Sequence, residues 1–191
     1  MLNSSLQLTS PRMQVPVLET ERLLLRGYRP DDLLEFAAMS ADPDFYRYLG
    51  GQPISREEAW RRILTQQGHW ALMGFGFWAV EEKSTTRFIG SVGFADFNRD
   101  IKPCISGVPE IGWALAPRVH GQGYATEAVR AALAWGNRHF QSNETVCIID
   151  SDNLPSLRVA EKFGYQETAR TTYKEQPIVV FTRQREADAL G

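Results

Sequence analysis

Arg118-Val119-His120-Gly121-Gln122-Gly123-Tyr124-Ala125 is the stretch on which the reading of this chain turns. Two glycines one residue apart let the backbone turn sharply with no Cβ in the way. Upstream, Glu110–Ala116 (EIGWALA) reads as a short strand stopped by Pro117. Downstream, Ala125, Ala128, Val129, Ala132, Leu133 and Trp135 recur at helical spacing, giving one long helix from Gly121 to about His139 with a broad apolar face. A glycine turn feeding a helix presents several backbone N–H groups at the positive end of the helix dipole, where a diphosphate can accept hydrogen bonds. The same turn also serves simply to join strand to helix, so the glycine pair alone leaves both readings open. Two other phosphate loops are excluded. No Gly-Lys-Ser/Thr follows, as a Walker A loop requires, and Thr126 stands where a dinucleotide fingerprint needs its last glycine.

Outward from this stretch the chain alternates strand and helix patterns. On the N-terminal side, Glu21–Tyr28 reads as a strand. Pro30-Asp31-Asp32 starts a helix reaching about Ala41, with proline and acidic residues in its first turn. Asp42–Pro53 reads as a loop. Ser55-Arg56-Glu57-Glu58 is a capping box that opens a helix to about Gly68. From Phe75 to Glu81 and from Phe88 to Phe97 the pattern is that of an antiparallel hairpin around Lys83–Thr86, and Asn98–Pro109 follows as a loop. On the C-terminal side, Thr145–Ile149 is a buried strand and Asn153–Phe163 a helix ended by Gly164. Tyr165–Thr172 and Pro177–Arg183 form a closing strand pair. With no internal repeat and no linker, 191 residues give one α/β domain with a mixed sheet.

Composition narrows the functions. The formal charge of −2 comes from 21 basic against 23 acidic residues, with no run of five like charges, which argues against a nucleic-acid partner. No apolar stretch approaches the roughly eighteen residues of a membrane span. Cys104 and Cys147 form no CxxC pair and read as unpaired thiols of a reducing compartment. His69, His120 and His139 lack metal-ligand spacing, so no metal is expected. The polar leader, residues 1–16, lacks the basic start and apolar core of a secretory signal, and a cytoplasmic protein is expected.

Three stretches in order carry a family resemblance. Arg-x-x-Gly-x-Gly followed by Tyr124-Ala125-Thr126-Glu127-Ala128 resembles the acetyl-CoA signature of the GNAT N-acetyltransferases. Leu18-Glu19-Thr20-Glu21-Arg22-Leu23-Leu24-Leu25-Arg26, with Pro30-Asp31-Asp32 just after, and Asn153-Leu154-Pro155-Ser156-Leu157-Arg158 through Glu161-Lys162-Phe163-Gly164-Tyr165, are similar to the RimJ/RimL type, which acetylates ribosomal-protein N-termini. The resemblance runs from about Leu18 to Thr182. It implies an acetyltransferase domain over residues 17–185, between the leader and a tail of residues 186–191. Its mostly antiparallel sheet would be splayed at two central parallel strands and flanked by about four helices. Acetyl-CoA would lie in the splay, its pantetheine arm along Ala114, Leu115 and Ala116, and its pyrophosphate on Val119, His120, Gly121, Gln122, Gly123, Tyr124 and Ala125. The Leu115 N–H would meet the thioester carbonyl, and Asn153 would hold a pantetheine amide. The acceptor would be a primary amine, a protein N-terminus in the RimJ/RimL reading or a small molecule such as a polyamine, aminoglycoside or amino acid. A non-catalytic acyl-CoA-binding module is the alternative outside catalysis, and such domains also pair as homodimers.

The chemistry itself asks for a neutral amine. At pH 7, deprotonating a lysine ammonium of pKa ~10.4 costs about 4.6 kcal/mol, against about 1.4 for an α-amine of pKa ~8. An N-terminal acceptor therefore demands less of a base. Glu110 is the candidate base, acting through water, against the alternative of a plain strand-edge glutamate; Asp96 and Asp150 read as turn residues. Many family members carry a tyrosine before Glu-Lys in the late helix, where it protonates the leaving thiolate; here Ala160 takes that place. Tyr165 is expected in the core, which leaves Ser156 as the hydroxyl near the sulfur, or as a first-turn serine bonded to its own backbone.

Overall fold

Residues 14–185 are described in a computed structural model. In chain order the elements are β1 (Leu18–Glu19), β2 (Leu23–Arg26), α1 (Asp32–Ser40), α2 (Pro43–Tyr46), α3 (Arg56–Met73), β3 (Phe77–Glu82), β4 (Arg87–Ala95) and β5 (Glu110–Leu115). They continue with α4 (Tyr124–His139), β6 (Glu144–Asp150), α5 (Leu154–Lys162), β7 (Gln166–Tyr173) and β8 (Gln176–Gln184). The eight strands form one sheet in the order β1-β2-β3-β4-β5-β6-β8-β7. Every neighbouring pair is antiparallel except β5 and β6. Parallel neighbours need a crossover, and α4 supplies it.

Four boundaries depart from the sequence reading. The expected strand Glu21–Tyr28 is the shorter β2, and β1 lies before it across a turn in which Thr20 N–H and Oγ1 both reach the Leu23 carbonyl (3.0 and 3.3 Å). The Asp42–Pro53 loop contains the short helix α2, capped by the Asp42 carboxylate on the Asp44 N–H, one of five α-helices among the described residues. Helix α3 runs on through Gly68 to Met73, because the glycine that adopts the left-handed C-cap is Gly74, at φ 75°. Packing also begins before residue 17. Trp78 Nε1 donates to the Pro16 carbonyl (2.8 Å) and Val15 lies against Gly27. Most of the expected leader, residues 1–13, and the tail, residues 186–191, lie outside the described residues.

The main core joins the helices to the sheet through aromatic rings. Trp70 of α3, Trp78 of β3 and Trp135 of α4 meet edge-on at centroid distances of 4.9, 5.2 and 5.5 Å. Edge-to-face contact matches the positive ring edge to the negative face. A smaller apolar cluster, Ile101, Ile105, Val146, Ile178 and Val180, seats the 98–109 loop on the sheet. Near the sheet's other side, buried Arg26 donates to Asp32 at the start of α1 (2.7 and 2.8 Å) and to Glu81 of β3 (2.6 Å). One guanidinium thus ties three elements and neutralises two carboxylates that burial would otherwise penalise. The cysteines are both free, Cys147 buried and Cys104 exposed.

Candidate active site

The sheet opens between its two parallel strands. β5 and β6 share one register pair, Glu110 with Val146, closed by the Val146 N–H on the Pro109 carbonyl (3.1 Å). On either side the antiparallel neighbours keep six and seven pairs, so the divergence is confined to this one seam. Because β5 and β6 run parallel, both C-terminal ends lie on the open side of the seam, and each leads into a helix N-terminus, that of α4 or α5. Ligands of open α/β sheets gather at such strand ends.

Alternation fixes which backbone groups face the seam. The Ala116 N–H donates to the Ile89 carbonyl in the strand before it (2.8 Å). In an antiparallel ladder, bonding direction reverses at each residue, so the Ala114 N–H also points to β4 and the Leu115 N–H points the other way, into the seam. Of the expected Ala114, Leu115 and Ala116 trio, Leu115 is therefore the residue with a donor on the ligand side. Its carbonyl is taken by His120 Nε2 at 2.8 Å, which requires that nitrogen to carry the proton. Gly90, opposite Leu115 in register, has φ 145°, and a Cβ there would stand 2.3 Å from the Ala114 carbonyl oxygen. The close approach of these two backbones holds the Leu115 peptide in place.

The loop at the near lip is shaped by its glycines and by bonds the sequence did not announce. Pro117–Val119 forms one 3-10 turn, followed by Gly121 at φ 73° and Gly123 at φ 82°. The Val119 and His120 N–H groups bond to Ala116 and Pro117 carbonyls (both 3.0 Å), and the His120 ring bonds to Leu115. These two expected pyrophosphate residues therefore build the loop rather than offer donors from it. Glu127 makes the first bond of α4, to Gly123 (3.0 Å), so the amides of Tyr124, Ala125 and Thr126 are the unpaired first turn that every helix leaves. Arg22 Nη1 holds the Gln122 carbonyl (2.9 Å), and Arg22 lies over the Tyr124 ring at 4.2 Å. Glu127 accepts from Thr20 Oγ1 (2.6 Å), the Arg22 N–H (2.8 Å) and Arg22 Nε (2.7 Å). Burial pushes the Glu127 carboxyl up, but the Thr20 and Arg22 bonds outweigh it and hold the group below the usual carboxylate range.

At the far lip, Asn153 caps α5 by accepting the Ser156 N–H on its Oδ1 (3.2 Å), leaving its NH2 outside the cap. Ser156 is half-buried in the first turn, one helical turn before Ala160, which is fully buried and close-packed. Tyr165 lies in the core as expected, its hydroxyl 2.7 Å from Thr145 Oγ1.

Glu110 stands at the closed end of the seam, 5% exposed, with both oxygens held by Arg99 (2.7 and 2.9 Å). Arg99 in turn lies over the rings of Phe97 (4.4 Å) and Tyr173 (4.8 Å). Burial raises the Glu110 pKa above the usual range, against the pull of the Arg99 guanidinium. Asp96 and Asp150 serve turns: Asp96 accepts the Asn98 and Gly107 N–H groups (3.0 and 3.1 Å), and Asp150 that of Asp152 (2.8 Å). Among the described residues no cluster of His, Cys, Asp and Glu could hold a metal, and no helix is long and apolar enough to cross a membrane.

The sequence reading missed Thr20, Arg22, Glu127, Arg99 and Gly90. Its signal for the first three was present in the Leu-Glu-Thr-Glu-Arg and Tyr-Ala-Thr-Glu-Ala stretches, but nothing in one sequence pairs them.

Comparison with known proteins agrees with this geometry. Residues 22–166 match the family described as acetyltransferase (GNAT) domain. The chain is 34% identical to the Bacillus subtilis (strain 168) protein YkkB, over 87% of this chain and 94% of that one. A solved structure from Bordetella pertussis, described only by its assignment to the GnaT-family acetyltransferases, is 29% identical with a TM-score of 0.79, over 88% and 99% of the two chains. RimL, the ribosomal L7/L12 α-N-protein acetyltransferase solved in complex with coenzyme A, has a TM-score of 0.72 over 91% of this chain and all of that one. At 16% identity it is a likeness of fold alone.

Proposed function

The chain belongs to the GNAT acetyltransferase family, and on that premise we propose that it moves the acetyl group of acetyl-CoA to a primary amine by direct attack in a ternary complex. The observation that carries this reading is the single-rung seam between β5 and β6, with two helix N-termini at its open end. In this proposal pantetheine lies in the seam as an added strand, and Leu115 N–H donates to the thioester carbonyl. That donor is fixed before reaction, so it stabilises the oxyanion without reorganising. The diphosphate sits on the N–H groups from Gly121 to Thr126. The Asn153 NH2 holds a pantetheine amide while its oxygen caps α5. When the tetrahedral intermediate collapses, the Ser156 hydroxyl donates to the departing sulfur from one turn before Ala160.

The favoured acceptor is an α-amine at a protein N-terminus, as in the RimJ/RimL type, in the cytoplasm. The supporting observation is the state of Glu110. Each of its oxygens already accepts one Arg99 bond, which leaves the second lone pair of each for the first water of a relay that carries the amine proton along the seam from Leu115, five residues away. A base so shared suits an amine of pKa ~8 better than one of ~10.4.

Glu110→Gln is expected to lower kcat at least about tenfold, the lower part of what one positioned base contributes, while acetyl-CoA affinity stays unchanged. Because the folded carboxyl titrates above its usual range, kcat of the intact enzyme should fall as pH drops through that raised value, and this acid limb should vanish in the glutamine variant. An unchanged rate would remove Glu110 from the mechanism. The function as a whole is tested by calorimetric titration with acetyl-CoA, then by thiol release with N-terminal peptides, polyamines, aminoglycosides and amino acids. Peptide turnover supports the favoured acceptor, and turnover of a small amine alone replaces it. Binding without turnover of any amine leaves an acyl-CoA-binding module.

A further inference from the structure

We propose that Arg22, far upstream of the loop, is a positioning residue for the acetyl-CoA diphosphate, because it sets the direction of one peptide group in the loop. The inference rests on the acetyl-CoA reading above. A trans peptide is planar, so the carbonyl of one residue and the N–H of the next point in opposite directions. The Leu115–Ala116 peptide shows this within the site: its oxygen meets His120 and its N–H meets Ile89 on the other side. The same rule applies to the Gln122–Gly123 peptide. Arg22 Nη1 draws the Gln122 oxygen inward (2.9 Å), so the Gly123 N–H is turned outward, beside the unpaired amides of the first turn of α4.

Arg22 is itself held by several contacts. Nε donates to Glu127 Oε2 at 2.7 Å, Nη2 is ion-paired with the same oxygen at 2.7 Å, and the guanidinium lies over Tyr124. The Tyr124 hydroxyl is anchored on Glu82 (2.6 Å). Glu127 is held by Thr20 as well as by Arg22, and so the β1–β2 turn grips the first turn of α4. The pairing also settles the charge. Glu127 is a carboxylate in the first turn of the helix that receives the diphosphate, and Arg22 neutralises it there. Both functions need a planar fork with donors on two edges, which lysine cannot supply.

Without Arg22 the Gln122–Gly123 peptide is free to rotate and the Glu127 charge faces an incoming anion. The loss should appear only with a thioester that carries the diphosphate. The experiment compares kcat/KM for acetyl-CoA with kcat/KM for S-acetylpantetheine, which has the same reacting end and no nucleotide. In Arg22→Ala the ratio of the two is expected to fall about tenfold, as expected for loss of one charge-assisted contact, through KM for acetyl-CoA and with kcat nearly unchanged. Arg22→Lys should lower it less, about threefold. An equal fall for both thioesters, or no change, overturns the proposal, since general damage to the fold does not discriminate between them. Should Arg22→Ala not fold, Arg22→Lys carries the same comparison, and an unchanged ratio there overturns the proposal. If the intact protein does not bind acetyl-CoA in the calorimeter, the acetyl-CoA reading itself has failed, a result distinct from either outcome for Arg22.

Discussion

Gly123→Glu is expected to abolish measurable acetyl-CoA binding, a loss of at least about a hundredfold. Three effects act on the same atoms. Gly123 has φ 82°, a conformation that costs a residue with a Cβ on the order of 1–3 kcal/mol when it is imposed. The added side chain emerges where the amides of Gly123 to Thr126 converge, and a Cβ there would sit 3.5 Å from Arg22 Nη2. It also brings a negative charge to the helix end proposed to receive the diphosphate. A hundredfold is about 2.7 kcal/mol, within the combined reach of strain and charge. Calorimetric titration of both proteins checks it, with far-ultraviolet circular dichroism to show that the variant is folded. Retained micromolar affinity would return the glycine loop to the role of a connection. Gly121→Glu adds the same kind of strain and charge at φ 73°, with no atom within 4 Å of the new Cβ.

Gly90→Ala should be strongly destabilising, by about 4 kcal/mol. The figure joins backbone strain at φ 145° to the overpacking of a site where neither neighbour can withdraw. The new methyl would lie 2.3 Å from the Ala114 oxygen and 2.7 Å from the Leu115 Cα, both backbone atoms. Any relief moves β5 toward the seam and turns the Leu115 N–H, so activity should fall further than stability alone explains. The urea midpoint and kcat are the measurements, with Gly68→Ala as the control. Gly68 lies inside α3 with open space around it, and alanine there should be neutral or stabilising by up to about 1 kcal/mol. A Gly90→Ala protein with an unshifted midpoint would show that the two strands have room to part.

What could be read from the sequence was what is local in the chain. The Ser55 cap and the left-handed Gly121, Gly123 and Gly164 each depend on residues within a few positions, so pattern and cap chemistry located them. α3 extends past Gly68, which resembles a stop, because the five residues beyond it keep their helix through Trp70, which is held by Trp78 and Trp135 far away in sequence. The bonds that shape the site are of this distant kind. Arg22 and Glu127 are 105 residues apart, and Glu110 owes its chemistry to Arg99 across a loop. His120 is the instructive case. Its place in the loop suggested contact with phosphate, but a ring nitrogen three residues past a proline stop also reaches the strand's last carbonyl, and it bonds there.

Seen mechanically, the sheet is two panels, β1–β5 and β6–β8–β7, fastened to each other by one backbone rung, by the crossover helix and by the 98–109 loop packed on β6 and β8. A coenzyme chain laid in the open part of the seam, as proposed above, would add contacts to both panels. Occupancy then becomes part of the fold's own strength: at a hundred times its dissociation constant a ligand adds about 2.7 kcal/mol to unfolding. On the proposed acetyl-CoA reading, the protein's lifetime would rise and fall with acetyl-CoA supply.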